Sequence, residues 1–252
     1  YGLYVESVRA ETIEAIHDAG SYAFVWTANT PEEMINIKEL DADGIVTNYP
    51  GLAKIILQED YSFLAEHYET SFAVPGLYGM GVEESKDMVM QGFTKTSDYL
   101  IVSAYSRSGE NSILYLMDLD GNLKRIVDLG FKAHTGGVSY DEERDYLWIT
   151  GPEGMVYALS WPDILSGTYS GQIQVSMDAG LTNHDGVKVA SFLTVDADKL
   201  FVGSYVDGAE GILRCYDLSD GSEPILETEV AIPERIQGIT FQTNRQSKER
   251  VM

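Results

Sequence analysis

Cysteine is almost missing: Cys215 stands alone in 252 residues, so no internal disulfide can form. In the apolar run ILRCYDL it reads as a small buried thiol. Bases are scarce as well. Lysine and arginine number 17 against 40 aspartates and glutamates, a formal charge of -23 spread over the whole chain. A polyanion is repelled at long range by such a surface, which excludes nucleic acid as a partner. No apolar run approaches the ~20 residues of a spanning helix, so no transmembrane segment is expected. A basic leader is lacking too. The sequence opens on Tyr1, and the expectation is that any targeting signal has been lost or removed. The acidic, cysteine-poor, repeat-rich character fits an extracellular or cell-envelope location.

What is present suffices for a core. With 44% hydrophobic and 11% aromatic residues, the chain can build one large or two modest domains. Residues 1–57 alternate helical and strand patterns. In AETIEAIHDAG the apolar positions Ile13, Ile16 and Ala19 recur every third residue, and Gly20 closes the helix. YAFVWTAN reads as a buried strand. Thr30-Pro31-Glu32-Glu33 then supplies a cap, a proline at the first helical position and a glutamate at the third. The helix EEMINIKEL, the strand DGIVTNYP and the helix GLAKIILQ follow. Strands alternating with helices at this spacing imply a parallel sheet flanked by helices, open or closed into a barrel.

The run from His17 to Leu57, HDAGSYAFVWTANTPEEMINIKELDADGIVTNYPGLAKIIL, resembles the C-terminal end of the glycerophosphodiester phosphodiesterase family. That family's seventh strand commonly ends in Trp-Thr-Val-Asn, and its eighth carries Gly-Ile-Ile-Thr-Asp-Tyr-Pro. Here Ala28 replaces the valine and Asn48 stands where the family has aspartate. The resemblance implies the last strand–helix units of a TIM-type barrel, with Trp26 and Asn29 binding substrate at the strand ends. Without it, Trp26 reads as a core aromatic of a doubly buried strand. The resemblance also implies a glycerophosphodiester substrate and metal-dependent hydrolysis, with Ca or Mg as the divalent ion of the intact parent. The family's His-Arg-Gly is absent from this chain, and the set it begins, with Glu-x-Asp, a second histidine and a further glutamate in order before the resembling run, is not found. No catalytic residue, metal ligand or cofactor is therefore assigned to it, and the expectation is an inactive fragment. His17, on a helix, receives no role.

After the connector at 58–72 the pattern changes to short strands parted by Gly, Asp, Asn and Ser. Four sites pair glycine with an aliphatic residue: Gly81-Val82, Gly137-Val138, Gly186-Val187 and Gly238-Ile239. Three of them precede a second strand, DYLIVSAY, DYLWITG or DKLFVGSY, and a third, SILYLMDL, GMVYALSW or GILRCYDL. The glycine sites are 56, 49 and 52 residues apart. That period predicts a partial β-propeller-like domain over 73–252, about three blades and the start of a fourth, with a β-sandwich as the structural rival.

His134 and His184 precede two of those glycines, as Gln237 precedes a third, with Arg235 nearby. If the strand after each glycine is innermost, His134, His184 and Gln237 ring one mouth of a central channel and could bind a small ligand or cation. Turn-capping side chains are the alternative. Asp118-Leu119-Asp120-Gly121-Asn122 lacks the spaced ligands of a calcium loop and reads as a hairpin turn.

The combined reading is a multidomain chain, an incomplete α/β TIM-type barrel followed by all-β propeller-like repeats. Its rival makes the propeller the functional unit, a binding or interaction module for an unknown ligand or protein.

Overall fold

Thr30 and Glu33 close a capping box in the computed structural model. The Glu33 backbone N–H donates to Thr30 Oγ1 at 3.2 Å, and the Thr30 N–H donates to Glu33 Oε2 at 2.9 Å. Two otherwise orphaned donors are thus satisfied at the start of helix α2, Pro31–Glu39. The structure describes residues 1–58, 74–75, 87–220, 223–243 and 250–251. The chain divides into two compact units, Tyr1–Lys86 and Asp87–Met252. The expected connector beyond Gln58 and the Gly81-Val82 site lie outside the described residues.

In the first unit, helix α1, Ala10–Asp18, buries Ile13 and Ile16, and Gly20 follows at φ +68. Strands β1 (Gly2–Tyr4), β2 (Phe24–Trp26) and β3 (Gly44–Val46) pair in parallel in that order, and α3 spans Pro50–Gln58. Alternation sends Val25 into a core with Ile13, Met34 and Ile37. It sends Tyr4, Phe24, Trp26 and Val46 to the exposed face.

This corrects the expectation of a TIM-type barrel remnant. Among the described residues the parallel strands are three, with β1 and β3 each pairing with β2 alone, and no family model identifies them as a barrel. Among the described residues there are four α-helices, and the chain is mostly β. Trp-Thr-Ala-Asn and Gly-Ile-Val-Thr-Asn-Tyr-Pro satisfy the needs of any short βα unit, a buried strand followed by a capped turn, and do not define a closed sheet.

The second unit holds three four-stranded antiparallel sheets, each a meander of consecutive strands. The first comprises β4 (Met88–Lys95), β5 (Tyr99–Ser106), β6 (Ile113–Asp118) and β7 (Leu123–Asp128). The second comprises β8 (Val138–Asp141), β9 (Tyr146–Thr150), β10 (Met155–Ser160) and β11 (Val175–Asp178). The third comprises β12 (Phe192–Asp196), β13 (Lys199–Gly203), β14 (Gly211–Asp217) and β15 (Ile225–Ile232). A short pair, β16 (Gln242–Thr243) with β17 (Arg250–Val251), follows.

The middle sheet is covered on both faces, and strand parity decides which side each residue serves. Leu147 and Ile149 of β9, with Leu159 of β10, pack against Ile101, Leu114 and Leu116 of the first sheet. Trp148, Val156 and Ala158 point the other way, to Leu193, Leu200 and Val202 of the third. A side chain buried in this way contributes about 1.5–3 kcal/mol relative to exposure. Helix α4, Trp161–Ser166, caps the first interface with Trp161 and Ile164.

The first strands of the three sheets stand side by side. Tyr140 N–H donates to Thr94 Oγ1 at 3.1 Å, and Val195 N–H donates to Ser139 Oγ at 3.0 Å, linking β4 to β8 and β8 to β12. Glycine is required where they meet. A Cβ on Gly136 would lie 2.1 Å from the Ser191 carbonyl oxygen, and one on Gly92 would lie 2.8 Å from the Gly136 oxygen. At the opposite rim of the sheets, β15 is exposed along almost its whole length.

Candidate functional site

Trp26 and Asn29 sit at the end of β2, as the sequence suggests, but they do different jobs. Trp26 is 46% exposed and leans on Tyr4, ring centroids 5.3 Å apart. Asn29 is a brace. Its Oδ1 accepts the Asn48 N–H at 3.0 Å, and its own N–H donates to Glu33 Oε2 at 2.8 Å, tying two strand ends and a helix start together. His17 Nε2 donates to Asp43 Oδ2, 2.9 Å away, which also takes the Ala23 N–H. These bonds hold the Asp43 carboxyl below the usual carboxylate range, the Ala23 amide contributing most.

The larger feature lies in the second unit. A cavity of about 640 Å³ brings His134 and Gln237 together with Gln91, Lys132, Asn183 and Tyr205. A second, of about 490 Å³, runs along the first strands and shares Gln91, Gly136 and Gln237 with it. Its walls come in order from 91–95, 136–139, 192–194 and 237–240, one stretch from each sheet and one from the segment before β16. The walls mix polar side chains, Gln91, Lys132, Asn183 and Gln237 among them, with the exposed ring of Phe93.

His134 is exposed at the rim and stacks on Tyr105, centroids 4.6 Å apart and planes 27° apart. The desolvation that results pushes its pKa below the ordinary imidazole value. His184 does not join it. Its ring turns to Asp185 at 3.1 Å, and it is the neighbouring Asn183 that lines the cavity. Arg235 points away as well, pairing with Asp207 at 2.6 Å. Thr135, only 1% exposed and at φ +47, lies between His134 and Gly136. Its carbonyl accepts from Ser103 Oγ at 2.7 Å, while its own hydroxyl has no partner among the described residues.

Sequence reasoning missed Gln91, Lys132, Asn183 and Tyr205. A signal for the first was present: Gln91-Gly92-Phe93-Thr94 repeats as Gln237-Gly238-Ile239-Thr240. The Gly186-Val187 site belongs elsewhere. Asn183 Oδ1 accepts from the N–H groups of Asp185 and Val187, making a turn with Gly186 at φ +76, and β12 begins only at Phe192. Among the described residues no three His, Cys, Asp or Glu side chains gather as a metal ion would need. Asp118 is committed to a hairpin turn, accepting from the backbone of Asp120 and Asn122 and pairing with Lys124 at 2.6 Å.

No family model matches this chain, and no curated protein matches it. Solved structures similar to it include the nidogen/laminin complex, at 15% identity and TM-score 0.42, covering 62% of this chain and 54% of that one. The WD40 propeller domain of Doa1 gives 16% identity and TM-score 0.38, covering 59% and 43%. The WD40 domain of Toxoplasma gondii coronin gives 12% and 0.36, covering 64% and 37%. The chain spans between about a third and about half of the length of these structures.

The phosphodiesterase resemblance is corrected by these findings. No family model supports it, the described residues are mostly antiparallel β, and the parallel sheet of the first unit has three strands among the described residues and is not a barrel. With it go the glycerophosphodiester substrate and the hydrolase assignment. No helix among the described residues is long and apolar enough to cross a membrane.

Proposed function

We propose that the second unit is a propeller-like binding module that receives its ligand at the mouth of the cavity between the first strands. The observation that carries this reading is the continuity of the two cavities through Gln91, Gly136 and Gln237, with wall residues drawn from every sheet. A hub assembled from several sheets presents polar groups from separate loops to one point, which is how scaffolds of this kind come to hold ligands. His134 and Gln237 belong to the mouth on this reading, and His184 stands outside it.

The experiment is a fragment screen on the full chain read by amide chemical shifts. Shifts clustered at Gln91, Lys132, His134 and Gln237, lost in His134→Ala and Gln237→Ala, support the proposal. Binders that move only other surfaces overturn it.

A further inference from the structure

Charge is distributed unevenly between this hub and the rest of the molecule. The chain carries 40 acidic residues against 17 bases. The two cavities nevertheless include Lys95, Lys132 and Lys188 in their walls, and Glu153 is their one acidic side chain. Lys188 is held by Asp178. Lys132 has no such partner: it forms no ion pair or hydrogen bond with any described residue, whereas Lys124, Lys199 and Arg214 all find acids. An unneutralised ammonium at the mouth of a cavity, in so acidic a protein, is a place for an anion from outside.

The two cavities meet at Gln91, Gly136 and Gln237, and the second adds an apolar stretch of wall. Phe93, 73% exposed, and Ile239 both line it, and an apolar molecule lying on Phe93 would remove that ring from water.

We infer that the hub binds an amphipathic organic anion, with a carboxylate or phosphate head at Lys132 and an apolar body lying along Phe93 and Ile239. This rests on the binding-module reading and names the ligand class for the same cavity. Gln91 and Gln237, both lining the mouth, offer amide N–H donors to the head group. Glu153 on the rim disfavours a ligand of high negative charge, as does the field of the whole chain.

The test titrates the full chain with octanoate, octyl phosphate, octanol and acetate at low salt, following amide shifts. Octanoate and octyl phosphate are expected to move the mouth and the Phe93 region together, and their relative affinities tell which head group the site prefers. Octanol and acetate, each lacking one half of the chemistry, should bind at least about tenfold more weakly. Lys132→Gln should weaken both octyl anions about tenfold and leave octanol unchanged, with Lys132→Arg restoring them. Octanol binding at the mouth as tightly as octanoate overturns the anion inference and leaves the binding module standing. Full anion affinity in Lys132→Gln, with the fold intact by circular dichroism, overturns the role of Lys132. Shifts at the mouth with none of the four overturn the ligand class, and the binding-module reading is then decided by the fragment screen.

Discussion

Arg144 reaches out of its own sheet to donate to the carbonyl oxygen of Leu218, 3.0 Å away in the next. The same guanidinium holds Asp141 at 3.2 Å and contacts Asp198, while Asp141, only 2% exposed, also takes the Trp148 indole N–H at 3.1 Å. One cation thereby fastens the turn of the middle sheet to two turns of the third. Arg144→Ala leaves the buried Asp141 carboxylate without its counter-charge, and the expected loss is about 3 kcal/mol. Urea unfolding measures it. A loss under about 1 kcal/mol would show the clasp to be ornamental at the level of stability.

Gly136→Ala tests the close approach of the first strands. Its methyl would meet the Ser191 oxygen at 2.1 Å, a backbone atom that cannot swing aside. The expected cost is about 3 kcal/mol, at the upper end for overpacking. Alanine at Gly109, where nothing lies within 4 Å but φ is +86, strains the backbone without any clash. It should cost only about 1 kcal/mol. Thermal melting of the two variants separates steric conflict from backbone preference.

Thr135→Val removes the hydroxyl that has no described partner and keeps the branched shape at φ +47. Deleting a buried polar atom that makes no bond should stabilise the protein, by about 1 kcal/mol. A fall in the unfolding midpoint would show that this hydroxyl is bonded in solution.

His134 should titrate below about 6.5, because contact with Tyr105 desolvates its charged form. A folded-state pKa below the unfolded value means that the unfolded chain binds more protons. The stability from neutral His134 is therefore present above the unfolded pKa and is lost as pH falls through the folded one. Ring-proton shifts give the midpoint directly, and Tyr105→Ala should move it back toward the ordinary value. A midpoint at or above that value in the unaltered protein contradicts the desolvation.

The repeat was legible because a doubly covered strand has no polar face to hide: DYLWITG and GMVYALSW run apolar through both parities. The second and third strands of all three sheets therefore fell where the sequence put them, as β5, β9, β13 and β6, β10, β14. The first strands were harder. Glycine marks them only where backbones nearly touch, at Gly92, Gly136 and Gly137, and the third sheet uses Ser191-Phe192 instead. Pairing glycine with an aliphatic neighbour thus picked out the Asn183–Val187 turn by mistake. In the first unit, α2 followed from its capping box, a local signal, whereas β1 is only three residues long and was not seen. Of the mouth, His134 and Gln237 could be read from their place before a glycine. Lys132, Tyr205 and Asn183 could not, because they reach the cavity from loops whose meeting depends on how the sheets stack.

Strand β15 is open to solvent from Ile225 to Ala231 and carries Glu227 and Glu229, while β4, β8 and β12 meet at contacts too tight for a methyl group. Substitution is thus far better tolerated along the open edge of the third meander than at the glycine contacts between the first strands. A lineage could change the charge of that edge many times over while the pocket lined by the first strands kept the same chemistry.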